Sequence, residues 1–236
     1  MVETSAPSLN IVTAIRTAAA IIVAVAIPVL LVTSAVRWTS LDTGFYLQEF
    51  AKYRIGFNMG LSDEQLHAIA DAFAAYFQAP PGEVNIVVDL PSGRQALLNA
   101  KEIHHMVDVQ VLLHLVFRLW VGSLIIIGIA IAATVIPQPQ TAAPWALTAA
   151  ASGGLLTVVL IAGIGVAAAL DFNSLFIRFH LLSFTNDLWL LDPRTDRLIQ
   201  LFPTGFFFDS AMRIALTSLL SGALMAGTAL AWLRFR

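Results

Sequence analysis

TAAAIIVAVAIPVLLVTSAV, residues 17–36, is an apolar stretch without a charged side chain. Its length matches the roughly 20 residues that an α-helix needs to cross the hydrocarbon core of a bilayer. Three further apolar stretches are long enough to do the same, at residues 119–136, 145–170 and 214–232. Hydrophobic residues make up 58% of the 236 positions and charged residues 12%, a composition that no ordinary water-soluble domain shows. The sequence therefore predicts a membrane all-α fold with four transmembrane helices.

The first apolar stretch is predicted to be a retained membrane anchor. It is longer than the roughly 7 to 15 apolar residues of a signal peptide, and Arg37 follows it directly. With four spans, both chain ends lie on one side of the membrane, and the segments 37–118 and 171–213 share the other. We expect one integral membrane domain over residues 1–236. It would contain a subdomain at 37–108, between spans 1 and 2, and an interfacial segment at 171–213, between spans 3 and 4.

The subdomain at 37–108 has an α+β pattern. Ser62 followed by Gln65 is a capping-box spacing, and apolar residues then recur at helical spacing up to about residue 78. Residues 84–90 alternate and are β-branched, which together with residues 95–98 predicts a small hairpin. A helical pattern resumes at residue 101 and continues into the second span. In the segment 171–213, phenylalanine and tryptophan alternate with charges, a pattern that favours short interfacial helices.

Composition also narrows the class of function. Cysteine is absent, which excludes disulfides, a thiol nucleophile and cysteine-ligated zinc. A net charge of -2 argues against a nucleic-acid partner. The centres of the four apolar stretches carry no ionisable residues, whereas a transporter usually places some there.

Two clusters of reactive side chains lie in the polar segments. Glu102, His105 and Asp108 are three residues apart and share one helix face, so a carboxylate could fix the tautomer of His105. The second cluster contains His180 and is followed by Asn186 and Asp187. Ionisable groups beside a bilayer are costly, which favours a functional role. The alternative interpretation is that both histidines are interfacial polar residues satisfied by their neighbours.

Other polar residues have simpler explanations. Arg178 could either position an anionic headgroup or extend to lipid phosphates, as arginines at the end of a span commonly do. Asp192 precedes a proline and is expected to cap a turn. We assign no role to His67 or His114, and we expect His104 to be structural because it points away from His105.

Several strings in this sequence resemble the lipoprotein intramolecular transacylase (Lit) family of bacterial membrane proteins. They are LNAKEIHHMVDV at 98–109, FHLLSF at 179–184 and NDLWLLDP at 186–193. The string LFP at 201–203 and the string FFFD at 206–209 are similar as well. Together with four spans in the same places, the resemblance covers nearly the whole chain. The sequence departs from the family pattern at Ala100 and at Thr204-Gly205, where acidic residues are frequent.

The resemblance implies an acyltransferase. Such an enzyme moves an acyl chain from the diacylglyceryl group of a bacterial lipoprotein to the α-amino group of its N-terminal cysteine, which gives the lyso-form lipoprotein. It implies catalytic roles for His105 and His180, and no cofactor or metal. Further residues are expected to bind the substrate or support the histidines: Glu102, Asp108, Asn186, Asp187, Trp189 and Arg178.

The resemblance also bears on location and partners. It implies a multi-pass protein of the bacterial cell membrane whose site, and whose subdomain at 37–108, face outside the cytoplasm. The expected partners are a diacylated lipoprotein and membrane lipid, and the protein is expected to be a monomer.

Two alternatives belong to other classes of function. A metal-dependent membrane hydrolase could use His104 or His105, Asp108, His180 and Asp187 as ligands, although the H-E-x-x-H spacing is absent. A non-enzymatic lipid-binding membrane protein would need none of these side chains for chemistry.

Overall fold

The computed structural model describes residues 11–90, 92–136 and 139–235. Its elements, in chain order, are α1 Ile11–Leu41, α2 Thr43–Lys52, α3 Ile55–Met59, α4 Asp63–Tyr76, β1 Val87–Leu90, β2 Gly93–Ala96, α5 Ala100–Val135, a 3₁₀ turn Pro139–Thr141, α6 Ala142–Leu170, α7 Phe172–Ser183, α8 Arg197–Leu201 and α9 Thr204–Arg234. Within the described residues, four helices are long and apolar enough to cross a membrane: Thr13–Leu41, Ala100–Val135, Pro139–Leu170 and Thr204–Arg234. The predicted fold class is confirmed.

The chain packs as two compact units. The first unit comprises the described residues up to Thr33, Leu119–Gly163 and those from Thr217 onward. Its helices approach one another at small residues. A Cβ on Gly154 of α6 would lie 2.5 Å from the carbonyl oxygen of Gly222 on α9, and a Cβ on Gly153 would lie 2.7 Å from the Ile27 side chain on α1. Glycines at such crossings let helix backbones come close enough for van der Waals packing, which is how helices associate in lipid.

The second unit comprises Ser34–Arg118 and Ile164–Leu216. Its helix α4 begins with the predicted capping box, in which the Ser62 side chain accepts from the Gln65 N–H and the Gln65 side chain accepts from the Ser62 N–H. The apolar face of α4 is buried, as its helical spacing predicts. Strands β1 and β2 form the predicted antiparallel hairpin, with Val87 opposite Ala96 and Leu90 opposite Gly93. Gly93 has a φ of +111°, a conformation that glycine adopts readily.

The core of the second unit combines side chains from both polar segments of the sequence. Phe202 packs against Phe50 and Phe73, with ring centroids 5.7 and 5.1 Å apart. Phe206 lies 5.7 Å from both Phe45 and Tyr46. Leu198 and Leu201 of α8 are buried in the same core. The α+β part of the chain thus shares one hydrophobic core with the residues that follow the third span.

Two boundaries differ from the expected spans. Helix α1 continues to Leu41, and α9 begins at Thr204 rather than near residue 214. The interfacial segment therefore holds α7 and α8, and its last ten residues form the first turns of α9. The apolar run after Pro203 explains the early start of α9, because its aromatic side chains find buried positions in the core of the second unit.

Candidate active site

His105 lies on the second turn of α5, whose start is fixed by a capping box. Asn99 is the N-cap, and its side-chain oxygen accepts the Glu102 N–H at 3.0 Å. The Glu102 carboxylate in turn accepts the Asn99 N–H at 2.6 Å. This reciprocal pair satisfies two of the N–H groups that a helix N-terminus leaves open. An asparagine followed three residues later by glutamate is a sequence signal for such a helix start.

Glu102 is 1% exposed and also holds a second helix. Its other carboxylate oxygen accepts the N–H of Leu198, in the first turn of α8, at 2.6 Å. Both oxygens are therefore directed at helix N-termini, where the open N–H groups and the helix dipole favour a negative charge. Glu102 does not hydrogen bond to His105, so its expected role in fixing the tautomer of that histidine does not fit the structure.

His180 lies in the last turn of α7, which is capped at its start by the Asp171 side chain on the Ser174 N–H. Nδ1 of His180 is 2.8 Å from the carbonyl oxygen of Phe176, one turn earlier. Because a carbonyl oxygen only accepts hydrogen bonds, Nδ1 carries the proton, and Nε2 of the neutral ring has the free lone pair. Burial lowers the pKa of His180 below its usual value, although the bond to Phe176 opposes this effect.

The two histidines predicted to act together are neighbours in space. Their ring centroids are 6.2 Å apart with the planes tilted by 32°, and both side chains are buried. Nδ1 of His105 is buried without a hydrogen-bond partner in the described part of the chain. Two largely desolvated imidazoles at this separation can transfer protons to and from a reacting group that reaches both. This pair is called the histidine dyad below.

Aromatic rings enclose the dyad. Their centroids lie 4.3 Å (Phe176), 4.9 Å (Trp189), 5.3 Å (Phe179) and 5.7 Å (Phe184) from the centroid of His180. The ring of Phe184 also packs nearly perpendicular to that of His105, with centroids 5.2 Å apart and the planes at 75°. Trp189 was among the predicted site residues, whereas Phe176 and Phe184 were not. No local sequence pattern distinguishes these two from the other phenylalanines of the segment.

Residues 184–196 form a loop that is tied to α5 at two points. Nδ2 of Asn186 donates to the Asp108 carboxylate at 2.9 Å, and Oδ1 of Asn186 accepts the Leu188 N–H at 3.1 Å. Further along, the Lys101 ammonium donates to the carbonyl oxygen of Leu190. These contacts hold the loop on both sides of Trp189, whose ring packs on His180.

A second polar cluster supports the end of this loop. Asp196 is buried, and its carboxylate accepts the Asp192 N–H at 2.9 Å and the Asn99 side-chain amide at 3.2 Å. Lys101 lies 3.6 Å from the same carboxylate. The backbone bond from Asp192, together with Asn99 and Lys101, keeps the pKa of Asp196 below its usual value. Asp192 caps its turn as expected, because its side chain accepts the Arg194 N–H at 2.9 Å. Asp196 is a supporting residue that the sequence analysis missed.

The remaining predicted residues lie apart from the dyad's contacts. Arg178 and Asp187 are exposed, and no hydrogen bond from either side chain to the dyad is present among the described residues. His67 and His104 are exposed as well, while His114 has Nε2 3.1 Å from the carbonyl oxygen of Phe77. Neither His67 nor His114 contacts the dyad rings.

The ligand set of the hydrolase alternative does not form a metal site. Within residues 11–90, 92–136 and 139–235, no three or more His, Asp or Glu side chains are grouped so that they could hold a metal ion. Asp108 is bonded to Asn186, and Glu102 is directed at backbone N–H groups. The carboxylates of Asp108 and Glu102 thus hold the loop and the helix N-termini in place.

Comparison with known proteins agrees with this architecture. Residues 21–207 match the family described as lipoprotein intramolecular transacylase Lit. The in meso structure of the membrane integral lipoprotein intramolecular transacylase Lit from Bacillus cereus is similar with a TM-score of 0.77 at 20% identity, over 94% of this chain and 98% of that chain. Two variants of that protein, with one histidine changed to arginine or to alanine, are similar with a TM-score of 0.71 at 20% identity. These cover 93% of this chain and 92% and 94% of theirs.

No curated protein matches this chain. The family match extends over far more than half of the sequence, and the solved structures share the fold. The chain is a multi-pass membrane protein and an acyltransferase, and it belongs to the lipoprotein intramolecular transacylase family, Lit.

Proposed function

We propose that His105 and His180 are the catalytic residues with which this chain transfers an acyl group within one lipoprotein molecule. The observation that carries the proposal is the buried histidine dyad, with ring centroids 6.2 Å apart inside an aromatic enclosure. The two side chains are 75 positions apart in the sequence and lie on different helices. Among the described residues no carboxylate is hydrogen bonded to either imidazole, and burying two such rings together is costly for stability, which favours a chemical role.

The reaction balances without an added reactant. The α-amino nitrogen of the N-terminal cysteine attacks the carbonyl carbon of an ester on its own diacylglyceryl group, so a C–N bond forms and the C–O bond to glycerol breaks. Counted from the neutral amine, one proton leaves the nitrogen and one proton is taken up by the departing glyceryl oxygen; a substrate that arrives as an ammonium ion first releases one further proton. The products are an amide and a free hydroxyl in the same molecule, the lyso form.

The two imidazoles have different roles in this scheme. Nε2 of His180 is the base. The bond from Nδ1 to the Phe176 carbonyl fixes the tautomer that leaves the lone pair on Nε2, and burial lowers the pKa of this ring, which keeps it neutral and able to accept a proton. His105 donates a hydrogen bond to the oxygen that becomes negatively charged, and the proton that His180 has taken from the nitrogen is returned to the leaving glyceryl oxygen. Since amine and ester belong to one molecule, much of the rate acceleration comes from holding them close together. A covalent acyl-enzyme is not needed.

The surroundings of the dyad suit a substrate that arrives from lipid. On α7, Phe179, Leu181 and Leu182 are 48%, 63% and 89% exposed, although all three are apolar. Such side chains are stable at the level of lipid headgroups and acyl chains. We expect membrane lipid to cover this face and the acyl chains of a diacylated lipoprotein to approach along it. We also expect the site to face outside the cytoplasm and the protein to act as a monomer.

The proposal is tested by replacing each histidine separately. His105→Ala and His180→Ala, purified in detergent or vesicles, should each abolish conversion of a diacylated lipopeptide to its lyso form. Substrate and product are isomers of equal mass, so the conversion is followed by the fragment ions of the lipopeptide in tandem mass spectrometry, which show whether an acyl chain is on the amine. His67→Ala is the matched control, since His67 is an exposed histidine of the same unit, and it should keep full activity. The melting temperature of each variant shows whether it is folded. Full activity in a folded variant of either dyad residue would refute the proposal.

A further inference from the structure

Most carboxylates near the dyad already have a matching cation or backbone donors. These are Asp196 with Lys101 at 3.6 Å, Asp192 with Arg194 at 2.7 Å, and Glu102 with the N-termini of α5 and α8. Asp108 is different: in the described part of the chain, none of the ion pairs includes it. It lies one turn after His105 on the same face of α5. A carboxylate without a cation thus stands beside the dyad.

The orientation of Asp108 is fixed from one side. Oδ2 accepts the side-chain amide of Asn186 at 2.9 Å, and that amide is itself held by its bond from the Leu188 N–H. Oδ1 has no hydrogen-bond partner among the described residues. Asp108 is half-buried, so this oxygen remains accessible to a ligand. A fixed carboxylate with one open oxygen is a suitable receptor for a group that carries positive charge and several hydrogens.

We infer that Asp108 binds the α-ammonium group of the lipoprotein substrate and holds it beside the dyad. The inference rests on the proposed function, in which that nitrogen becomes the acyl acceptor. An N-terminal amine has an ordinary pKa of about 7.7 to 8.0, so most substrate molecules arrive as ammonium ions at neutral pH. The aromatic rings around the dyad favour a cation as well, through the negative potential of their faces. Asp108 therefore selects substrates with a free, charged N-terminus.

The binding step can be tested without the reaction. A dialkyl ether analogue of the lipopeptide cannot transfer an acyl group, and it can be made with the α-amine or with hydrogen in its place. The amine form should inhibit the wild-type enzyme about 10- to 100-fold more tightly than the deaminated form at neutral pH, as expected for a hydrogen bond to a charged group. In Asp108→Asn the two analogues should inhibit equally. The asparagine keeps an acceptor for Asn186, so the loop contact is preserved.

Kinetics supply a second readout and a control. Asp108→Asn should lower kcat/KM by about 10- to 100-fold below neutral pH, chiefly through a higher KM. The loss should shrink toward about pH 9, where the substrate amine is neutral and offers no positive charge to Asp108. Asp108→Glu should recover part of the activity. Asp71→Asn removes the same charge from an exposed position of α4 in the same unit and should behave like the wild type.

The outcomes separate this inference from the proposed function. If the dyad variants are inactive while Asp108→Asn still distinguishes the two ether analogues, the ammonium receptor is wrong and the dyad stands. If Asp187→Asn rather than Asp108→Asn abolishes the distinction, the receptor is the exposed Asp187, and the inference is again wrong. If the dyad variants keep full activity, the proposed function fails, whereas binding of the ether analogues still reports on Asp108.

Discussion

Glu102→Gln is expected to destabilise the second unit strongly, although glutamine has nearly the same size and shape. In the native protein one carboxylate oxygen accepts the Asn99 N–H and the other accepts the Leu198 N–H, each at 2.6 Å. A glutamine amide has only one acceptor oxygen. Its NH₂ group would have to face one of the two backbone N–H groups, which would then be buried without an acceptor.

The size of the effect follows from these two bonds. Leaving one buried N–H unpaired costs about 1 to 3 kcal/mol, and replacing a charged acceptor by a neutral one at the other N–H costs about 1 kcal/mol more. The free energy of unfolding should therefore fall by about 2 to 4 kcal/mol. In proteins of this size each kcal/mol corresponds to about 2 to 4 °C, so the melting temperature should fall by roughly 5 to 15 °C.

The assay is thermal unfolding of the purified protein in detergent, followed by intrinsic fluorescence. Glu83→Gln is the matched control, because Glu83 is an exposed glutamate of the same unit, and its melting temperature should equal that of the wild type. A Glu102→Gln protein that melts within about 2 °C of the wild type would refute the reasoning, since the lost N–H acceptor could not then be costly. An equal fall in Glu83→Gln would assign the effect to net charge instead.

Three further predictions concern acid–base behaviour and packing. Because burial lowers the pKa of His180, kcat/KM in a lipopeptide turnover assay should decline only below about pH 6.5. A decline of kcat/KM that already begins above this pH as the solution is acidified would contradict the assignment of the base. Gly205→Ala should lower the melting temperature, because its Cβ would lie 2.6 Å from ring carbons of Tyr53 and displace the Tyr53 hydroxyl from Asp209; overpacking of this kind costs about 1 to 3 kcal/mol. Burial and Asp209 raise the pKa of Glu49 to about 7, above the unfolded value of about 4.3, so the folded state binds the proton more tightly. Stability from this group is present in acid and is lost as pH rises through about 7, and Glu49→Gln should flatten that loss in melting curves.

Features encoded by neighbouring residues could be predicted from the sequence. The four spans follow from local hydropathy, and α4 follows from the capping box at Ser62 and the apolar spacing after it. The hairpin follows from an alternating β-branched run. Each of these depends on contacts within a few residues, so the pattern contains the information.

Features made by distant residues could not be predicted in this way. The contact of Phe184 with His105 depends on the path of the whole loop 184–196, and nothing near position 184 in the sequence marks it. Helical spacing placed Glu102 on the face of His105, but the open N–H groups of two helix N-termini compete for its carboxylate and hold it. The approach of His105 to His180 was suggested by family resemblance, since spacing along the chain says nothing about two residues on separate helices.

The shared core of the second unit has a consequence for biosynthesis. Phe50 and Phe73 are fully covered only when Phe202 and the side chains of α8 are in place, and about 100 residues with two apolar helices separate these parts of the chain. At ribosomal rates of roughly 5 to 20 residues per second, this interval lasts about 5 to 20 seconds. During that time the newly made segment at 37–108 exposes apolar surface on its side of the membrane. Folding of the second unit must therefore wait until the later helices are inserted. A fragment that ends before them would be a target for chaperones and proteases.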